Sequence, residues 1–149
     1  MLRLIDHTNV VKLCEVQETD RTVYLVMEYV ESKTLQEIIK KPDFRNSYSD
    51  TQIISFVHSI LDVLSYLASK GIMHRDLKPD NILVEKGGKI KIIDLGLATP
   101  VDLPKHIFKR CGTPGYIAPE VFAIDPQSAS AGYDEKCDLF SVGCILYFL

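Results

Sequence analysis

The chain has 149 residues, 46% hydrophobic and 25% charged, with a net charge of −3 at pH 7. That is enough apolar material for one compact core, and the slight acidity argues against nucleic acid or a membrane surface as partner. No run of about 18 consecutive apolar residues and no basic-then-apolar leader is present.

Four cysteines (Cys14, Cys111, Cys137, Cys144) and four histidines (His7, His58, His74, His106) show neither a C-x-x-C pair nor metal-ligand spacing. Reduced thiols in an intracellular, cytoplasmic protein are expected, and a metal site built from Cys and His is not.

In chain order, NVVKLCEV (9–16) and TVYLVMEYV (22–30) read as two strands. Their Val, Leu and Tyr content favours a pleated surface, and the short polar link suits an antiparallel hairpin. In SKTLQEIIKKP, Thr34 and Glu37 have the spacing of a capping box and Pro42 ends a short helix. Residues 50–70 form the clearest helix, with Ser49 and Gln52 capping its start and Gly71 at its left-handed exit. Ile53, Val57, Ile60, Leu61, Leu64 and Leu67 make its apolar stripe, read as a core face.

Beyond that helix, NILVEKGGKIKIID (81–94) reads as a second hairpin whose glycines tolerate positive φ. Prolines and glycines recur through 95–119, a long irregular segment of the kind that carries function. DEKCDLFSVGCILYFL reads as a closing helix that begins near Asp134 and becomes wholly apolar.

Between the long helix and the second hairpin stands GIMHRDLKPDN (71–81). An isolated D-x-K-x-D is ordinarily a solvated turn. Here it sits inside HRDLKPDN (74–81), followed by IDLG (93–96) and GTPGYIAPE (112–120). Five fixed residues at these offsets arise by chance roughly once in three million positions if residues are equiprobable. On these motifs the chain resembles the eukaryotic protein kinases of the serine/threonine type.

The resemblance implies an α+β, protein-kinase-like fold and transfer of the ATP γ-phosphate to Ser/Thr hydroxyls of a protein substrate. It implies Asp76 as the carboxylate that orients and deprotonates the attacking hydroxyl, and Lys78 as the cation meeting the transferring phosphate. Asn81 and Asp94 become ligands of Mg2+, brought together by the hairpin, and Thr113 contacts Asp76 and Lys78 to position the substrate. TVYLVMEYV becomes the strand entering the hinge. There the Glu28 C=O and Val30 N–H pair with adenine, Met27 limits pocket depth, and Leu35 and Leu83 pack around and below the base. Asp138 becomes the buried acid holding the loop's N–H groups, and His74 a packing residue. The apolar members of this set are equally readable as plain core.

Several departures accompany the match. Leu95 stands where the family has Phe, and Lys109 occupies the usual phosphorylation position, leaving Thr99 as the alternative and pointing to a kinase without that switch. The 149 residues contain no G-x-G-x-x-G and no V-A-x-K strand. The expectation is therefore a truncated catalytic domain: residues 1–30 a small-lobe remnant with the hinge, and 31–149 the first part of the large lobe. Such a piece would bind ATP poorly alone, and a non-catalytic kinase-like module or an inactive product is the alternative reading.

Overall fold

The computed structural model describes residues 2–102, 110–124 and 132–149, so the reading of Lys109 lies outside the described residues. The first hairpin forms as β1 (Leu13–Glu18) and β2 (Val23–Met27), antiparallel from Glu18 opposite Val23 to Leu13 opposite Met27, with a bulge between Leu13 and Glu15. The first strand begins later than its apolar run because residues 9–11 pair elsewhere. Val11 N–H donates to Ile92 C=O at 2.8 Å, Ile92 N–H to Asn9 C=O at 2.8 Å, and Asn9 Nδ2 to Ile90 C=O at 2.8 Å.

Two residues, β3 (Lys33–Thr34), lead into α1 (Leu35–Ile39). Thr34 Oγ1 accepts the Glu37 N–H at 3.1 Å and the Glu37 carboxylate accepts the Thr34 N–H at 2.8 Å, a reciprocal cap. A further turn, α2 (Phe44–Ser47), follows Pro42. The long helix is α3 (Asp50–Ser69), capped by the matching Ser49–Gln52 pair and left through Gly71 at φ +64°.

The face that α3 buries differs from the stripe in the sequence. Phe56, Ile60, Val63, Leu64 and Leu67 are buried, Ile53 and Val57 flank them, and Leu61 is exposed. The period was legible, but the neighbours that fix the rotation of the helix are distant in sequence. By length and composition alone α3 also suffices to cross a membrane, at 20 residues and mean hydropathy 1.3 in its most apolar window. Its buried side chains here lie in the protein core.

β4 (Ile72–Met73) pairs antiparallel with β7 (Thr99–Pro100) inside the irregular segment. The second hairpin is β5 (Ile82–Val84) with β6 (Ile90–Ile92), turned by Gly87 and Gly88 at φ +100° and +83°. With β3 it forms a sheet of order β3-β5-β6. Ile82, Val84, Ile90 and Ile92 enter the main core with α3, whereas Leu83 and Lys91 point to the other face.

α4 (Pro119–Phe122) precedes the last helix, α5 (Cys137–Phe148). This helix starts three residues later than Asp134, which instead forms a preceding turn: its carboxylate accepts the Lys136 N–H at 3.0 Å and its C=O the Cys137 N–H at 3.2 Å. A second small core of Met73, Ala118, Val121, Ile124, Tyr133 and Cys137 supports the irregular segment. The architecture is α+β, with its charged loop carried between these two cores.

Candidate active site

The loop 74–78 is held from below by α5. Asp138, in the first turn of that helix and almost fully buried, accepts the His74 and Arg75 N–H groups, one on each carboxylate oxygen, both at 2.7 Å. Two charge-assisted bonds to backbone fix the loop's entry. Arg75 takes the left-handed conformation at φ +69°, uncommon for a residue with a Cβ. Its guanidinium donates to Leu97 C=O at 2.7 Å and to Tyr133 Oη at 3.1 Å, which stabilises that turn.

Gly112 explains one glycine of GTPGY. At φ +113° it lies so close that a Cβ there would stand 2.8 Å from the Arg75 carbonyl oxygen. The irregular segment can therefore press directly on the loop, which brings the next residue, Thr113, to the charged side chains.

Those side chains meet. Thr113 Oγ1 donates to Asp76 Oδ1 at 2.6 Å and accepts from Lys78 Nζ at 2.7 Å, while Lys78 Nζ stands 3.2 Å from Asp76 Oδ2. Asn81, in a 3-10 turn over Pro79–Asn81, donates through Nδ2 to the Asp76 C=O at 3.0 Å. The Ile93 N–H donates to Asn81 C=O at 3.0 Å, so the hairpin sets the residue before Asp94 against Asn81. Asp94 is exposed and accepts the Gly96 N–H on Oδ1 at 2.7 Å. Its Oδ2, like Oδ1 of Asn81, has no hydrogen-bond partner among the described residues.

That donor set fits Mg2+. An amide oxygen and a carboxylate oxygen are hard ligands, and Mg2+ is ordinarily held by one or two protein oxygens with phosphate and water completing its octahedron. Among the described residues no cluster of three or more His, Cys, Asp or Glu offers a richer cage.

His74 lies under this cluster, buried, with Nδ1 facing the Asp76 N–H at 3.3 Å and Nε2 without a partner. Burial pushes its pKa down against the opposing pull of Asp138, Asp76 and Asp94. Leu95 is also buried, in the main core. Thr99, left open as a phosphorylation site by the sequence, is buried and its backbone pairs with Met73 in β7. Its hydroxyl is not accessible in this fold.

The residues expected from the sequence to meet a nucleotide form a separate group. Met27, Glu28 and Val30 follow from the end of β2, half-buried, and Leu83 stands opposite Lys91 in β5. The Glu28 C=O and the Val30 N–H have no hydrogen-bond partner among the described residues, leaving an acceptor and a donor free along one edge. Leu35 is fully buried in the main core. Two contributors escaped the sequence reading: Tyr133, which holds Arg75, and Lys91, which pairs with the Glu28 carboxylate at 2.6 Å. Lys91 did leave a trace, as the one charge inside the buried run IKI.

The model of the protein kinase domain matches residues 1–149, the whole chain. The chain belongs to the protein kinase family. Sperm motility kinase 3A of Mus musculus is 39% identical over 149 residues, covering all of this chain and 28% of its own length. The serine/threonine-protein kinase cds1 of Schizosaccharomyces pombe is 35% identical over 150 residues, again covering all of this chain and 32% of its own length. This kinase chain thus spans about a third or less of those relatives.

Proposed function

We propose that these residues form the catalytic floor of a serine/threonine protein kinase, in which the ATP γ-phosphate is transferred to a protein Ser or Thr hydroxyl. The observation that carries the reading is the Asp76–Thr113–Lys78 triangle, with Asn81 bonded to the same loop and Asp94 beside it. Asp76 orients the attacking hydroxyl and takes its proton as the new O–P bond forms and the bond to the departing ADP oxygen breaks. Lys78 offsets the negative charge on the transferring phosphoryl group. Mg2+, when held by Asn81 Oδ1 and the Asp94 carboxylate, would neutralise the phosphate oxygens. The free edge at Glu28 and Val30 matches the donor–acceptor pattern of adenine, over a surface that includes Met27 and Leu83.

Thr113 in direct contact with both Asp76 and Lys78 supports Ser/Thr specificity, in keeping with the substrate-positioning role that the resemblance implies for it. Unpaired thiols at Cys14, Cys111, Cys137 and Cys144 support an intracellular, cytoplasmic setting. The family implies a protein substrate, and the slight net acidity of the chain supports protein rather than nucleic acid or a membrane surface as partner.

The test is phosphate transfer from Mg-ATP to Ser/Thr and Tyr acceptors by the intact polypeptide carrying these residues. Transfer to Ser/Thr is expected, and Asp76→Asn should lower kcat at least about a hundredfold, the usual scale of a general base. Transfer only to Tyr, or full activity in Asp76→Asn, would contradict the reading. Absence of transfer to any acceptor by the intact polypeptide would point instead to a non-catalytic, kinase-like binding module.

A further inference from the structure

Glu28 contributes more than its backbone. Its carboxylate Oε1 accepts two bonds at once, from the Lys12 N–H at 2.9 Å and from Lys91 Nζ at 2.6 Å, and its own N–H donates to Lys12 C=O at 2.9 Å. Lys91 lies in the middle of β6, directly opposite Leu83. Residues directly opposite in an antiparallel pair share a face, so its side chain leaves β6 on the Leu83 side and reaches the segment after β2. The pair is more than a surface contact, since the lysine and glutamate side chains are only 18% and 31% exposed.

We infer that the Glu28–Lys91 ion pair is a positioning device that fixes the hinge backbone against β6, setting the Glu28 C=O and Val30 N–H at a fixed distance from Leu83 so that an adenine base fits between them. The inference rests on the nucleotide reading above. Three features meet in one place: the unpartnered backbone acceptor and donor at Glu28 and Val30, the doubly anchored carboxylate beside them, and the ammonium rooted in the strand facing Leu83. Without the pair, residues 28–30 would remain tied to the rest of the fold mainly through Lys12, and the slot width would no longer be set. A device of this kind acts on the base and leaves the triphosphate machinery untouched.

The experiment uses the intact polypeptide and two ligands, adenosine and Mg-ATP. Lys91→Met and Glu28→Gln should each weaken adenosine about fivefold, within the range set by removing one partly shielded ion pair. Each should raise the KM for ATP by a similar factor, and Lys91→Met should leave kcat and the KM for the protein substrate unchanged. The double variant should match either single one, because both remove the same interaction. Asn9→Ala, which deletes the neighbouring tie to Ile90 C=O, serves as control: it should lower the Tm and leave adenosine affinity unchanged. Unchanged adenosine affinity in Lys91→Met, or an equal loss in Asn9→Ala, would overturn the proposal while leaving the kinase reading intact. Failure of the unsubstituted protein to bind adenosine would overturn both.

Discussion

The residue with the sharpest consequence outside the reaction itself is His74. It is buried, its Nε2 has no partner, and burial depresses its pKa below the ordinary 6.5. The folded state therefore refuses a proton that the unfolded chain accepts. The stabilisation is complete above pH 6.5 and declines as the pH falls from there toward the lower folded value. Urea midpoints should fall on acidification below pH 6.5, and His74→Gln should flatten that slope; an unchanged slope in the variant would assign it to other groups.

At this scale the meeting of the loop's side chains was legible, because HRDLKPDN places Asp76, Lys78 and Asn81 on one short loop whose geometry is local. Tyr133 and Lys91 were not legible. Each finds its partner about sixty residues away along the chain, Arg75 for Tyr133 and Glu28 for Lys91, and no local pattern encodes such a meeting.

At the scale of the element, caps and turns were read correctly and rotations were not. Thr34–Glu37, Ser49–Gln52, Gly71 and the Gly87–Gly88 turn follow from backbone chemistry that a few adjacent residues determine. The face of α3 depends on β6, β4 and α5, so Phe56 and Val63 are buried where Leu61 was expected. Strand β1 likewise begins late because residues 9–11 pair with β6.

The irregular segment meets the loop through glycine. Gly112→Ala adds a Cβ 2.8 Å from the Arg75 oxygen at φ +113°, whereas Gly115→Ala, at φ +93°, meets nothing within 4 Å. Both carry the cost of positive φ, about 1–2 kcal/mol, but only the first must move the backbone. Gly112→Ala should therefore lower the Tm more than Gly115→Ala and also reduce kcat, by displacing Thr113 from Asp76. Equal effects of the two substitutions would show that the close approach does not matter.

For the molecule as a whole, the apolar surface is distributed unevenly. Val23, Tyr24, Leu25 and Val26 of β2 are exposed, as are Leu139, Phe140, Leu146, Tyr147 and Phe148 of α5, a helix apolar on nearly every side. Contiguous patches of this kind promote association in water. The 149-residue chain on its own should form concentration-dependent oligomers by light scattering, and Mg-ATP should raise its Tm little. A monodisperse monomer with saturable, tight stabilisation by Mg-ATP would contradict both expectations. Both hairpins were readable from strand composition and turn chemistry and the α+β architecture from the family resemblance, while the unequal covering of β2 and α5 could be seen only once the packing was known.

The central claim is that Asn81 and Asp94 hold a magnesium ion where Asp76 and Lys78 can act on a phosphate. A crystal structure of the intact polypeptide with Mg2+ and a non-hydrolysable ATP analogue tests it most directly. The account predicts Mg2+ about 2.0–2.1 Å from Asn81 Oδ1 and from an Asp94 carboxylate oxygen, with the terminal phosphate facing Lys78 Nζ and Asp76. A metal held by other residues, or a triphosphate lying away from this loop, would contradict it.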